Sequence, residues 1–334
     1  MVRQCHYILP YFGTRYAPML GALLESIWQC SPQRHVVFLH YDTPDAVTQI
    51  ARSYANVLVI PAKKPTYDRS LACAVKPLIV ASYLQDTAMQ GCAFMIDVDM
   101  IVRRDPFGLF EDEDDLLFTT RPGPWPINGG ILGMKDPENP KTSEFFNAWA
   151  QRIAEISSSP RLVRIARSRA HPYGHVDQMA FSDLILYDSG RTVFRSEPRG
   201  LLRLRAIDGG VLNETRSIPI QKDANILHYK GGWHAILLEG RCFTSARPMG
   251  AGWDMFVLYG VFHTQSWDRC SEAARTALGR LPGWYDARTQ SIRWGRYAVR
   301  KCFDVLASAM QQASMALSGL FRLLRVHVIQ RKRR

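Results

Sequence analysis

Along the first hundred residues, short unbroken apolar runs alternate with stretches in which apolar residues recur every three or four positions. Tyr7-Ile8-Leu9 is such a run; after Pro10 and Gly13 come Leu20, Leu23, Leu24, Ile27 and Trp28 at helical spacing. The run from His35 to His40 ends at Asp42-Thr43-Pro44, which reads as a helix start, and Val57-Leu58-Val59-Ile60 stops at Pro61. A further helix is predicted from about Leu78 to Leu84, ahead of the buried strand Ala93-Phe94-Met95-Ile96. Four such runs separated by helices, each continuous rather than alternating, predict an α/β fold with a parallel sheet covered on both faces. Ligands bind such sheets at the carboxyl ends of the strands. The loops after Leu9, after His40 and at Asp97 are therefore expected to converge where a nucleotide can lie.

The C-terminal pattern is different. From Phe303 the residues Leu306, Met310, Ala313, Leu317, Leu320 and Leu324 recur at three- or four-residue steps, flanked by Arg300, Lys301, Arg322, Arg325 and Arg331-Lys332-Arg333-Arg334. This predicts a basic amphipathic helix, lying on a membrane surface in the favoured reading and docked on the core in the other. Val305 to Phe321 is uncharged, but Gln311, Gln312 and several serines leave it short of the ~20 apolar residues that a span requires. The division expected is a catalytic domain over residues 1–265 and a helical basic region over 266–334.

Composition sharpens this picture in two places. The chain of 334 residues is 47% apolar, enough for a sizeable core, which excludes a disordered or fibrous protein. Its net charge is +12, and residues 291–334 hold ten basic residues and one acidic, so +9 of that excess sits in the tail. Such an asymmetry points to a tail that seeks an anionic membrane surface and argues against a nucleic-acid partner. The seven cysteines are odd in number, far apart in sequence and form no C-x-x-C pair. Reduced thiols and a cytosolic compartment are expected, with neither a disulfide framework nor a structural zinc. The first ten residues show no secretory signal or N-terminal anchor, so the expected location is the cytoplasmic face of a membrane, with the protein held peripherally. Asn213-Glu214-Thr215 is a lone sequon and carries no weight. Glu111 to Asp115 reads as a solvated acidic loop, and Arg161, Arg164, Arg167 and Arg169 as a solvated helix face or a contact for an anionic acceptor.

Four signals carry chemistry. Asp97-Val98-Asp99 follows a buried strand, and continuation of the pleat would send both carboxylates one way with Val98 opposed. Two convergent carboxylates suit a hard divalent cation such as Mg2+ or Mn2+, whose remaining positions go to water and phosphate. About thirty residues on, Asn128-Gly129-Gly130 combines an amide with backbone that can approach a ligand closely, or forms a tight turn. Asp177-Gln178 follows, and then Ile226-Leu227-His228-Tyr229-Lys230-Gly231, where an apolar strand delivers an imidazole, a cation and a glycine together. Each signal alone is more often structural than functional. Four in this order are not easily accidental.

With these residues in place, the sequence from about Tyr7 to Gly232 resembles the metal-dependent GT-A glycosyltransferases, most closely those of the family eight type. The likeness rests on Ile8-Leu9-Pro10, Ala74-Val75-Lys76-Pro77, Phe94 to Asp99, Asn128-Gly129-Gly130, Asp177-Gln178 and His228 to Gly231. It implies a GT-A, Rossmann-like mixed and mostly parallel sheet, and transfer of a hexose from a nucleotide diphosphate sugar, with uridine the common base, to a glycan or lipid-linked acceptor. By the same likeness Asp97, Asp99 and His228 hold Mn2+ or Mg2+. Lys230 and Gly231 contact the diphosphate, Lys76, Asn128 and Gly129 line the donor side, and Asp177 and Gln178 lie near the reacting carbon. Retention of configuration is implied, with Gln178 beside that carbon. Lys76 stands where many relatives carry Arg, and Gly232-Trp233-His234 replaces the usual Lys-Pro-Trp ending. An inverting enzyme with Asp177 as general base is the nearest alternative. A sugar-phosphate nucleotidyltransferase is a further one, disfavoured because Leu9 to Arg15 holds a single glycine. A basic membrane- or nucleic-acid-binding adaptor explains the tail but not the ordered motifs. Trp125, Tyr173, His175, Trp233 and His234 are candidates for the acceptor side.

Overall fold

Each of the four apolar runs forms a strand in the computed structural model, which describes residues 5–63, 72–120, 127–167, 176–188, 191–196, 200–212, 224–229, 232–241, 251–283, 285–292, 296–297 and 300–304. In chain order the first elements are β1 (Cys5–Phe12), α1 (Ala17–Cys30), β2 (His35–Tyr41), α2 (Asp45–Arg52), β3 (Val57–Pro61), α3 (Ala72–Asp86), β4 (Cys92–Ile96) and β5 (Met100–Val102). The middle of the chain gives β6 (Leu116–Thr120), β7 (Ile127–Met134), α4 (Pro140–Ser158), α5 (Pro160–Arg167), α6 (Val176–Leu184), β8 (Leu186–Asp188), β9 (Arg191–Ser196), β10 (Gly200–Asp208) and α7 (Gly209–Leu212). The last are β11 (Ile226–His228), α8 (Gly232–Glu239), α9 (Ala251–Arg269), α10 (Glu272–Leu278), β12 (Tyr285–Asp286) and β13 (Ser291–Ile292).

The main sheet has nine strands in the order β3-β2-β1-β4-β7-β6-β10-β9-β8. The first four are mutually parallel; β7 and β9 run against the other seven. This is the mixed, mostly parallel α/β sheet that the sequence predicts. Alternate side chains of β1, β2 and β4 feed two separate cores, as a sheet buried on both faces requires. Ile8, Val37, Leu39 and Met95 pack with α3, α4 and α6, while Tyr7, Leu9, Phe38 and Phe94 pack with α1, α2 and α10. The later helix α9 packs back on α1. There Arg269 forks onto the buried Glu25 at 3.0 and 3.2 Å and lies over the rings of Trp28 and Tyr54. Gly21 permits that approach, since a Cβ there would lie 2.6 Å from Ser266 Oγ.

Three local expectations change. α3 begins at Ala72 rather than near Leu78 and continues through Pro77, which carries Lys76 into the helix. Asn128-Gly129-Gly130 is no turn: it lies in β7, a fully buried strand at the middle of the sheet. The acidic run is only partly solvated. Asp114 is buried and takes Arg205 of β10 at 2.7 Å, and Asp115 accepts the Arg203 amide at 2.7 Å, because the run leads directly into β6 beside β10.

The chain divides into two compact units, Met1–Lys230 with Met249–Gly279, and Gly231–Pro248 with Arg280–Arg334. In the second, β12 and β13 form an antiparallel hairpin, and Arg300 pairs with Asp304 and donates to the Glu239 carbonyl at the end of α8. Residues 305–334, and with them the predicted amphipathic helix, lie outside the described residues. Among the described residues no helix is long and apolar enough to cross a membrane.

Candidate functional site

The Asp97-Val98-Asp99 segment leaves the pleat. β4 ends at Ile96, and the three residues form a turn that leads into β5, so the carboxylates converge through the turn and not through strand alternation. Backbone bonds fix the turn from two sides: the Asp97 amide donates to the Gly130 carbonyl at 2.8 Å, and the Asp99 carbonyl accepts from the Tyr229 amide at 2.8 Å. β5 pairs antiparallel with β11, with Met100 opposite His228. That register delivers the imidazole to the turn, where His228 Nε2 lies 3.0 Å from Asp99 Oδ1.

Asp97, Asp99 and His228 thus offer two oxygens and one nitrogen within 4.8 Å of one another. The donor set suits a divalent cation, since carboxylate oxygens and a neutral imidazole bind Mn2+ or Mg2+ without further change. The floor beneath it fits as well. A Cβ at Gly130 would stand 2.6 Å from Asp97 Oδ2 and 2.7 Å from His228 Cε1, so only glycine leaves the three ligands room to meet. Asn128 holds that floor from within, its carboxamide oxygen accepting the Gly130 amide at 3.1 Å.

Lys76 reaches the cluster from α3. Its Nζ donates to Asp97 Oδ1 at 2.6 Å and to the Gly129 carbonyl at 3.0 Å. Burial opposes its charge, but Asp97, Asp177 and Asp99 outweigh that and hold the ammonium above the usual lysine range. Asp177 stands at the start of α6, where the Trp149 indole N–H donates to its carbonyl at 2.9 Å. A Cβ at Gly129 would come within 3.3 Å of Trp149 and 3.5 Å of Asp177 Oδ2, which accounts for the second glycine of the pair.

These groups open into a pocket of about 520 Å³ at the carboxyl ends of β1 and β4, lined by residues 10–16, 76, 97–99 and 177. Gly13, at φ +73°, turns the chain out of β1 at the pocket wall. The ionisable cations and carboxylates of the wall are Arg15 and Lys76 against Asp97, Asp99 and Asp177, a net −1 that a divalent cation converts to +1. Loaded with such an ion, the pocket attracts an anion.

Seven of the residues singled out in the sequence therefore meet: Lys76, Asp97, Asp99, Gly129, Gly130, Asp177 and His228. Asn128 and Gln178 are buried and do not line the pocket. Lys230 and Gly231, like Trp125, Tyr173 and His175, lie outside the described residues. Sequence reasoning missed Trp149, which reads as an ordinary apolar position of a helix, and Tyr16, whose phenol is pushed up by burial first, with Arg15 opposing and Asp99 and Asp97 adding to it.

No protein-family model matches the chain, and no curated protein matches its sequence. Solved structures with similar backbones include the glycosyltransferase GlyE of Streptococcus pneumoniae TIGR4, at 14% identity and a TM-score of 0.48 over 82% of this chain. The chain spans 62% of that structure's length. Others are the galactosyltransferase LgtC in complex with donor and acceptor sugar analogs, at 12% identity and TM-score 0.42 over 68% of this chain and 87% of that one, and a glycosyltransferase involved in glycosylation of the major capsid of PBCV-1, at 14% and 0.38 over 68% and 93%.

Proposed function

We propose that this protein is a metal-dependent glycosyltransferase that moves a hexose from a nucleotide diphosphate sugar to a glycan or lipid-linked acceptor. The observation that carries the reading is the Asp97, Asp99 and His228 cluster opening into a pocket at the carboxyl edge of a parallel sheet. The ordered motifs of the sequence, which resemble the GT-A type, supply the donor class, and uridine is the expected base. Mn2+ or Mg2+ bound there supplies electrostatic stabilisation of the departing diphosphate.

The chain's own residues divide the remaining work. Lys76 holds the Asp97 carboxylate at 2.6 Å and brings positive charge to the pocket wall. Lys230 and Gly231, directly after Tyr229, contact the diphosphate, and Asn128 and Gly129, which do not line the pocket, serve the donor side from beneath by holding the Gly130 amide and Lys76. Asp177 accepts hydrogen bonds from sugar hydroxyls, and Gln178 supports the reacting carbon in a retaining transfer. A second reading is favoured by one contrast: Asp177 lines the pocket and Gln178 is buried. In that reading Asp177 takes the acceptor proton and the product is inverted. The basic tail places the enzyme peripherally on an anionic cytoplasmic membrane face, where each Lys or Arg adds about 1 kcal/mol.

The test is thermal unfolding against a panel of nucleoside diphosphates, with and without Mn2+, in wild type and Asp99→Ala. A ligand that binds only the folded state raises the melting temperature. Stabilisation by UDP that needs Mn2+ and disappears in Asp99→Ala is the expected result; no shift with any diphosphate and metal refutes the reading. The anomeric configuration of the product, read by NMR, separates retention from inversion.

A further inference from the structure

At the opposite end of the same two strands lies a pair of thiols. Cys5 opens β1, Cys92 opens β4, and the two are register partners in the parallel pair. Both side chains enter the core shared by Tyr7, Leu9 and Phe94. Their sulfur atoms lie 2.7 Å apart although 87 positions separate the residues in sequence. They are 8% and 7% exposed. Each strand is fixed by its neighbours and by helices on both faces, so the thiols are held together by the sheet itself and not by a mobile loop.

We propose that Cys5 and Cys92 form a site of reversible covalent modification, an intrachain disulfide that staples β1 to β4 when the protein meets a hydroperoxide. One thiolate sulfur attacks the peroxide oxygen, an S–O bond forms as the O–O bond breaks, and the alkoxide or hydroxide leaves and takes up a proton. The second sulfur then attacks the sulfenic sulfur. An S–S bond forms, the S–O bond breaks, and the hydroxide leaves as water with the second thiol's proton. In sum, two thiols are oxidised to a disulfide and one hydroperoxide is reduced to an alcohol, or to water for hydrogen peroxide, with one water released. The staple closes a long stretch of chain, which removes unfolded-state entropy, so the oxidised form is the more stable one. This inference does not depend on the glycosyl-transfer reading.

The full chain, first reduced, is treated with hydrogen peroxide under native conditions, alkylated in denaturant and digested without reduction. The expected products are a linked peptide pair containing Cys5 and Cys92, a loss of two alkylatable thiols, and a melting temperature about 5 °C above that of the reduced protein. The gain disappears in Cys5→Ala and Cys92→Ala and persists in Cys30→Ala. Recovery of both cysteines as alkylated peptides, or of either as a singly oxidised acid with no linked pair, overturns the proposal. Should the alanine variants fail to fold, peptide mapping of the wild type decides by itself.

Discussion

The two ends of β1 and β4 carry opposite chemistry on one rigid frame. At the carboxyl ends the chain leaves the sheet in the 13–16 turn and the 97–99 turn, and carboxylates, an ammonium and an imidazole meet beside a pocket. At the amino ends Cys5 and Cys92 are packed side by side with little solvent contact. The difference follows from geometry. Strands are pinned along their length by ladders and two cores, so polar groups converge most readily at strand ends, where the chain turns. The carboxyl end therefore gathers the polar groups of the candidate site and the amino end belongs to the frame, and substitutions at the two ends are expected to separate binding from stability.

The largest expected effect is at the ligand end. Asp99→Ala should cut metal-dependent transfer roughly 1,000-fold or more while leaving the fold intact; paired activity and circular dichroism measurements check this, and equal loss of both would erase the contrast. A group away from both ends provides the pH control. Burial holds His263 in α9 down to about 4, with the Leu278 and Gly279 carbonyls opposing the shift. Because the folded pKa is lowered, the unfolded chain binds the extra proton first, and stability present above pH 6.5 declines as pH falls toward 4. The difference amounts to roughly 3 kcal/mol. Urea titrations at several pH values should show this slope in wild type and a flatter one in His263→Gln.

Smaller effects sharpen the boundary between the two ends. Gly130→Ala places a methyl against Asp97 and His228, so metal affinity measured by calorimetry should fall roughly 10- to 100-fold. Trp149→Phe removes the bond to the Asp177 carbonyl. Turnover is then expected to drop about tenfold with metal affinity held, since only the placement of Asp177 is loosened. Smallest of all, Cys5→Ala in reductant should cost about 1 kcal/mol of stability and leave nucleotide affinity within about twofold. A large change in affinity there would mean that the two ends are coupled.

Much of the site was legible in the sequence because its residues sit beside strong local signals. Asp97 and Asp99 follow an apolar run that had to be buried, and His228 ends another. The parts that could not be read there involve partners brought in from a distance. Strand alternation alone would send the two carboxylates one way, but they converge through a turn set by hydrogen bonds from the Asp97 amide to the Gly130 carbonyl and from the Tyr229 amide to the Asp99 carbonyl. Asn128-Gly129-Gly130 carried a turn signal, yet the glycines serve a buried strand crowded by Trp149, Asp97 and His228. The helix expected from about Leu78 begins at Ala72, and the added turn carries Lys76, which meets Asp97.

The seven cysteines show the same limit most simply: spacing gave no pair, and the fold sets two of them 2.7 Å apart. Alone, the sequence determined that the first four apolar runs become parallel strands and which residue types carry the chemistry, because periodicity and side-chain chemistry are local properties of the chain. Tertiary structure decided the register of β5 on β11, the contact of Arg269 with Glu25, the glycine floor and the thiol pair. Each of these joins segments far apart in sequence. Their meeting depends on how a whole sheet closes and packs, which no single stretch of residues encodes.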